Sequence, residues 1–88
     1  MLKLTTIDAE ALALAALAAT LTEDQRAERF LALTGLTPDG LRAGAGNRKL
    51  LAATLAFLEA HEPDLVAVAK AIGATPEMLV AARAMLDS

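Results

Sequence analysis

Apolar positions recur at helical spacing from one end of this chain to the other. From about Ile7 to Thr20 an Ala/Leu-rich stretch predicts a first helix, with Thr6 placed to cap it. Thr22-Glu23-Asp24-Gln25 has the form of a capping box and predicts a second helix. That helix carries Ala27, Phe30, Leu31 and Thr34 on one face and stops at Gly35. Thr37-Pro38, an N-cap followed by proline at the first helical position, opens a third helix, which Gly40, Gly44 and Gly46 keep short. Asn47 caps a fourth, with Leu51, Leu55 and Leu58 on one stripe and Leu50, Thr54 and Phe57 beside it. Pro63 falls in the first turn of a fifth helix holding Leu65, Val68, Ala69 and Ile72, and Gly73 ends it. Thr75-Pro76 then opens a sixth, with Leu79, Ala82 and Leu86 at helical spacing. No stretch alternates with period two, so no strand is expected.

The chain echoes itself. Gly35-Leu36-Thr37-Pro38-Asp39-Gly40-Leu41 returns 38 residues later as Gly73-Ala74-Thr75-Pro76-Glu77-Met78-Leu79. At that offset helices one to three overlay helices four to six, although outside Gly-x-Thr-Pro the matches are Ala or Leu, which this composition supplies by chance. The predicted fold is all-α: one domain over residues 1–88, a compact five- to six-helix orthogonal bundle of two pseudo-repeated, helix-turn-helix-like units at about 6–43 and 47–87.

The first helix has more apolar surface than one contact needs. Ile7, Leu14, Leu17 and Leu21 form one face, and Leu12, Ala15, Ala16 and Ala19 the opposite one. A helix that is apolar all round is covered on both sides. In a chain this short, the second cover is either the other half or a second copy, and the small alanine side chains of the face would allow close approach in either case. Self-association through those four residues is expected, with Ile7, Leu14, Leu55 and Ile72 all out of solvent in the assembled state.

Composition narrows the chemistry. Hydrophobic residues make up 56% of the chain, mostly Ala and Leu, which favours helices over sheet. Phe30 and Phe57 are the only aromatics, so the usual platforms for stacking bases, flavins or sugars are missing. The net charge of −3 works against phosphate backbones. With no cysteine, thiolate nucleophiles, disulfides and Cys-based metal sites are excluded. The apolar runs Ala11–Ala19 and Leu50–Leu58 fall far short of the roughly 20 residues that span a bilayer. Lys3 before an Ala/Leu run resembles a signal peptide, but Asp8 and Glu10 sit where positive charge is wanted, so a cytoplasmic protein is expected.

Three constellations could carry function. Val68 to Ala82 fits helix-turn-helix packing: Ala69 stands four before Gly73, and Val68, Ile72, Ala74, Leu79 and Ala82 lock two helices. Its second helix, however, offers only Thr75 and the single cation Arg83 to nucleic acid, beside Glu77. Arg42, Arg48 and Lys49, set among Gly44, Gly46 and Asn47, form the one basic cluster and are candidates for contact with an anion or a partner. No Gly-Lys-Ser/Thr follows, so this is not a P-loop. His61 among Glu59, Glu62 and Asp64 straddles a helix break, which does not suit a metal site, and complements the end of the fourth helix instead. Thr5, Thr6, Thr20, Thr22, Thr37 and Thr75 read as caps. The one serine is Ser88, and no acidic residue is read on an apolar stripe, so neither nucleophilic nor acid–base catalysis is expected.

Over nearly its whole length the chain resembles an uncharacterised alphaproteobacterial family of small all-helical domains of about this length. The resemblance is carried by the Ala/Leu first helix, Arg29-Phe30-Leu31-Ala32-Leu33-Thr34-Gly35-Leu36, Leu41-Arg42-Ala43 and Leu55-Ala56-Phe57-Leu58. It implies a fold and no activity, because those residues are core and cap positions; Asn47-Arg48-Lys49 is more basic than the family pattern. The reading is a non-enzymatic interaction or structural module without metal or cofactor, partnered by itself or another protein. The alternative is a helix-turn-helix nucleic-acid binder reading through residues 68–83.

Overall fold

All helices of this chain but the fifth begin where a side chain accepts the free amides of a first turn. In the computed structural model, which describes residues 5–88, six helices follow one another: α1 (Thr6–Thr20), α2 (Asp24–Thr34), α3 (Pro38–Gly44), α4 (Arg48–Glu59), α5 (Glu62–Ala71) and α6 (Pro76–Asp87). No strand occurs among the described residues. Lys3, part of the signal-peptide comparison, lies outside them.

Thr37, Asn47 and Thr75 cap α3, α4 and α6 as their positions predict. Two caps shift by one residue. Thr5, not Thr6, starts α1, in a reciprocal box with Asp8: Thr5 Oγ1 accepts from the Asp8 amide at 3.1 Å, and Asp8 Oδ2 accepts from the Thr5 amide at 3.2 Å. At α2 the cap is Glu23, whose carboxylate takes the amides of Gln25 and Arg26 at 3.0 and 2.9 Å. Thr22 instead turns its hydroxyl back to the Ala19 carbonyl at 2.7 Å. The charged acceptor makes the stronger bond, and the hydroxyl serves the end of α1.

The echo between the halves holds at the level of connections. α2 and α5 both run into a left-handed glycine, Gly35 at φ 71° and Gly73 at φ 73°. Around Gly73 the Ala74 amide reaches the Ala69 carbonyl at 2.8 Å and the Gly73 amide reaches Lys70 at 3.3 Å, a Schellman turn. A Cβ on Gly73 would meet nothing within 4 Å, so its φ is the only obstacle to a side chain. Gly73→Ala is therefore expected to destabilise by about 1–2 kcal/mol, the cost of a left-handed L-residue, with Gly73→Asn milder; urea titration checks both.

Packing does not follow the echo. α1, α4 and α6 lie against one another and α5 lies against all three, so both halves share one core. Phe30, Leu55, Leu58, Leu79 and Val68 are its largest fully buried side chains. The radius of gyration, 11.9 Å, matches the roughly 12 Å of a compact chain this long. α2 is held on by a T-shaped contact of Phe30 with Phe57 of α4, ring centroids 5.2 Å apart.

Ala9, Ala13, Ala16, Leu17 and Thr20 are the innermost residues of α1, with Ala19 at the edge of the core. Ala16 and Ala19, expected at an interface with Leu12 and Ala15, are thus spent inside the chain, and Leu12 is half-buried against the core. Small side chains face inward because α1 meets α4 and α6 together, and alanine lets both come close. Leu55 is fully buried and Ile72 half-buried as expected, whereas Ile7 and Leu14 are 77% and 48% exposed in the single chain.

Candidate functional site

Three arginines are committed to the fold. The α1 C-terminus lacks a glycine, and the buried Arg26 closes it: Nη2 donates to the Ala19 carbonyl at 2.8 Å and Nε to the Thr20 carbonyl at 3.2 Å. Arg48 does the same for α6, giving Nη2 to Met85 O and Nε to Leu86 O, both at 3.0 Å. Arg83 pairs with Glu59 of α4 and with Asp87 at 2.7 Å, and hydrogen bonds to Asp87 and then Glu59 raise its pKa above the ordinary value.

The basic cluster is accordingly divided. Arg42 is exposed and pairs with Asp39 at 3.3 Å, Arg48 faces α6, and Lys49 is exposed in the first turn of α4. Arg48 and Lys49 border a depression of about 720 Å³ beside Leu86, Asp87 and Ser88. The α4 amides that an anion would use are taken by Asn47 Oδ1, which accepts from Lys49 at 2.8 Å and Leu50 at 3.4 Å. An anion would have to displace that cap and tolerate Asp87.

α5 and α6 turn through 100° at Gly73, the geometry of a helix-turn-helix. Val68, Ala69, Leu79 and Ala82 lock the pair, with Ile72 and Ala74 half-buried. The residues that would read DNA are employed elsewhere. Thr75 Oγ1 holds the Met78 amide at 3.2 Å, and Arg83, the only cation of α6, is doubly paired. The outer face of α6 presents Glu77, Met78, Val80, Ala81 and Ala84.

One acidic residue lies on an apolar stripe after all. Asp64 stands four residues before Val68, is buried, and meets Arg29 of α2. Arg29 Nη2 donates to Oδ1 at 3.1 Å, while Nη1 approaches Oδ2 to 2.9 Å without an aligned hydrogen bond. The hydrogen bond to Asp64 raises the Arg29 pKa, and the guanidinium also lies 5.8 Å from the Phe57 ring centroid. This pair fastens α2 to α5. Its sequence signal was the i, i+4 spacing from Asp64 to Val68, hidden because the carboxylate also reads as a first-turn acid. His61 occupies the N-cap position of α5, exposed and without a side-chain cap bond. No group of three or more His, Cys, Asp or Glu side chains converges among the described residues.

The largest uncovered strip on the first helix is apolar. Ile7, Ala11, Leu14, Ala15 and Ala18 are all exposed along one line of α1, opposite its buried side. At Ala18 that line runs into a groove of about 450 Å³ bordered by Leu21, Leu31, Leu41 and Arg42. No single described helix is long and apolar enough to cross a membrane; α5 and α6 pass in length and composition only as the bent pair.

Fold and surface together define a small all-α bundle whose polar side chains serve mainly to close and pin helices, with one helix left apolar on its outer side. The chain belongs to the family described as Protein of unknown function (DUF3572), whose model matches residues 6–88. No curated protein and no solved structure gave a significant match.

Proposed function

We propose that this chain is a non-enzymatic interaction module of the cytoplasm that binds a protein, itself or another, through the outer face of α1. The observation that supports this reading is the line Ile7–Leu14 with its alanines: a contiguous apolar strip on a helix whose opposite side already fills the core. The committed arginines support the same reading, since the cations best placed for catalysis or phosphate binding already close helix ends or pair with carboxylates.

A photo-crosslinking amino acid at Leu14, in cells producing the chain, is expected to give discrete protein adducts that the same group at exposed Glu77 does not. Equal labelling at both positions, or none, would remove the reading. Nucleic-acid binding through α5 and α6 is the second reading, favoured by their 100° turn and opposed by the paired state of Arg83. Duplex DNA titrated across salt separates the two, because phosphate contacts lose affinity steeply as salt rises.

A further inference from the structure

The geometry points to a second copy of this chain as the occupant of that face, its α1 lying antiparallel across a two-fold axis. This rests on the reading of α1's outer side as an interaction surface and adds the identity and orientation of the partner.

The strip alternates in size: Ile7, then Ala11, then Leu14, then Ala15 and Ala18. Run against itself in the opposite direction, it brings Ile7 over Ala18 and Leu14 over Ala11, each bulky side chain over a small one. A single register satisfies both pairs, since 7 with 18 and 11 with 14 share one midpoint between Leu12 and Ala13. Two-fold symmetry repeats each fit on the other side. A parallel, in-register pair would set Ile7 on Ile7 and Leu14 on Leu14, holding the alanines apart over empty space.

Like charge disfavours the parallel alternative. The only charged residues of α1 are Asp8 and Glu10, both near its N-terminus. At the other end the exposed Arg42, already paired with Asp39 at 3.3 Å, borders the groove beside Ala18 and Leu21, and Glu23 and Asp24 are exposed in the segment that follows α1. Antiparallel pairing separates the two acidic ends, setting each beside the other copy's Arg42–Asp39 pair, and lays the helix dipoles side by side in opposite directions, whereas parallel pairing stacks carboxylate on carboxylate. Exposed pairs of this kind fix orientation more than they add affinity. The seam is about 22 Å long, from fifteen residues at 1.5 Å each. Ile7 of each copy arrives at the mouth of the other's groove, where Leu21, Leu31 and Leu41 widen the apolar contact. Leu33 and Val66 stand alone on α2 and α5, and Met78 and Val80 of α6, at 42% and 39% exposure, are more covered than Ile7 and Leu14 at 77% and 48%.

Sedimentation equilibrium of the full chain from roughly 10 µM to 1 mM, a range bracketing weak to moderate affinity, is expected to show a monomer–dimer equilibrium. Ile7→Glu and Leu14→Glu should each weaken it at least tenfold. Leu33→Glu, on α2, should leave it unchanged. Ile7→Glu alters a site 77% exposed, so its thermal melt at low concentration should match the parent chain and exclude misfolding as the cause. The chain has no cysteine, which makes orientation readable. Ile7→Cys mixed with Ala18→Cys should oxidise to a heterodimer, while Ile7→Cys alone should not cross-link. A monomer at 1 mM, a dimer indifferent to Ile7→Glu and Leu14→Glu, or efficient self-linking by Ile7→Cys would each overturn the antiparallel pair. A monomer in solution that still gives crosslinks from Leu14 to a different protein in cells would overturn only the second copy; absence of both would overturn the interaction reading as well.

Discussion

Phe30→Ala is expected to cost about 3–5 kcal/mol, the usual range for removing a buried phenylalanine. Phe30 is fully buried and is the only aromatic of α2, standing edge-on to Phe57 at 5.2 Å. Beside Phe30, α2 is held by Leu31, half-buried against the core, and by the Arg26 and Arg29 side chains, which reach α1 and α5. Truncation therefore removes the largest buried side chain of α2 and opens a cavity beside Phe57. At the usual 0.05–0.15 kcal/mol per residue, an 88-residue chain has about 4–13 kcal/mol of stability in all. The loss would leave the variant close to unfolding at the low end of that range. Urea titration of the parent, Phe30→Ala, Phe57→Ala and the double variant should give a coupling of about 0.5–1.5 kcal/mol for the ring pair. A single-variant cost below about 1 kcal/mol would mean that α2 is not fastened through this contact.

Ala16→Leu is expected to be a damaging enlargement of α1. Ala16 has no solvent exposure on a helix that meets both α4 and α6, so three added carbons have nowhere to go without moving a neighbouring helix. Overpacking of this kind costs about 1–3 kcal/mol and sometimes more. Ala11→Leu makes the same chemical change on the outer side of the same helix, where the residue is exposed, and should be nearly neutral at concentrations too low for association. Denaturation midpoints of the two variants compare the faces directly. If Ala16→Leu were tolerated and Ala11→Leu were not, the inward face of α1 would have to be the other one.

That choice of face shows where sequence reading reaches its limit. α1 is apolar on every side, so periodicity has no polar stripe to point outward, and either face could have been the inner one. Both sides are rich in alanine, and they differ chiefly in where the bulky residues fall: Leu17 inside, Ile7 and Leu14 outside. Contact with two helices at once put Ala9, Ala13, Ala16 and Ala19 into the core together with Leu17, and left Ile7, Leu14 and Ala15 outside. Arg26, Arg48 and Asp64 were equally hard to place. Each lies near its own helix start in sequence, but its role depends on what stands opposite: the exposed carbonyls of α1 and α6 for the arginines, and Arg29 for Asp64.

From its own residues, the chain determined six helices and nearly all their ends. A glycine forced past φ 0, a threonine before proline and an asparagine cap act within one turn, so their effect is the same in any surroundings. It also determined the matched connections at Gly35 and Gly73. Only the tertiary structure decided that α5 and α6 enter the core while their counterparts α2 and α3 stay at its edge, which way α1 faces, and which charges are consumed in closing helices. Those outcomes depend on side-chain volume and on orphaned carbonyls brought together from distant parts of the chain, and no local pattern of residues encodes that meeting.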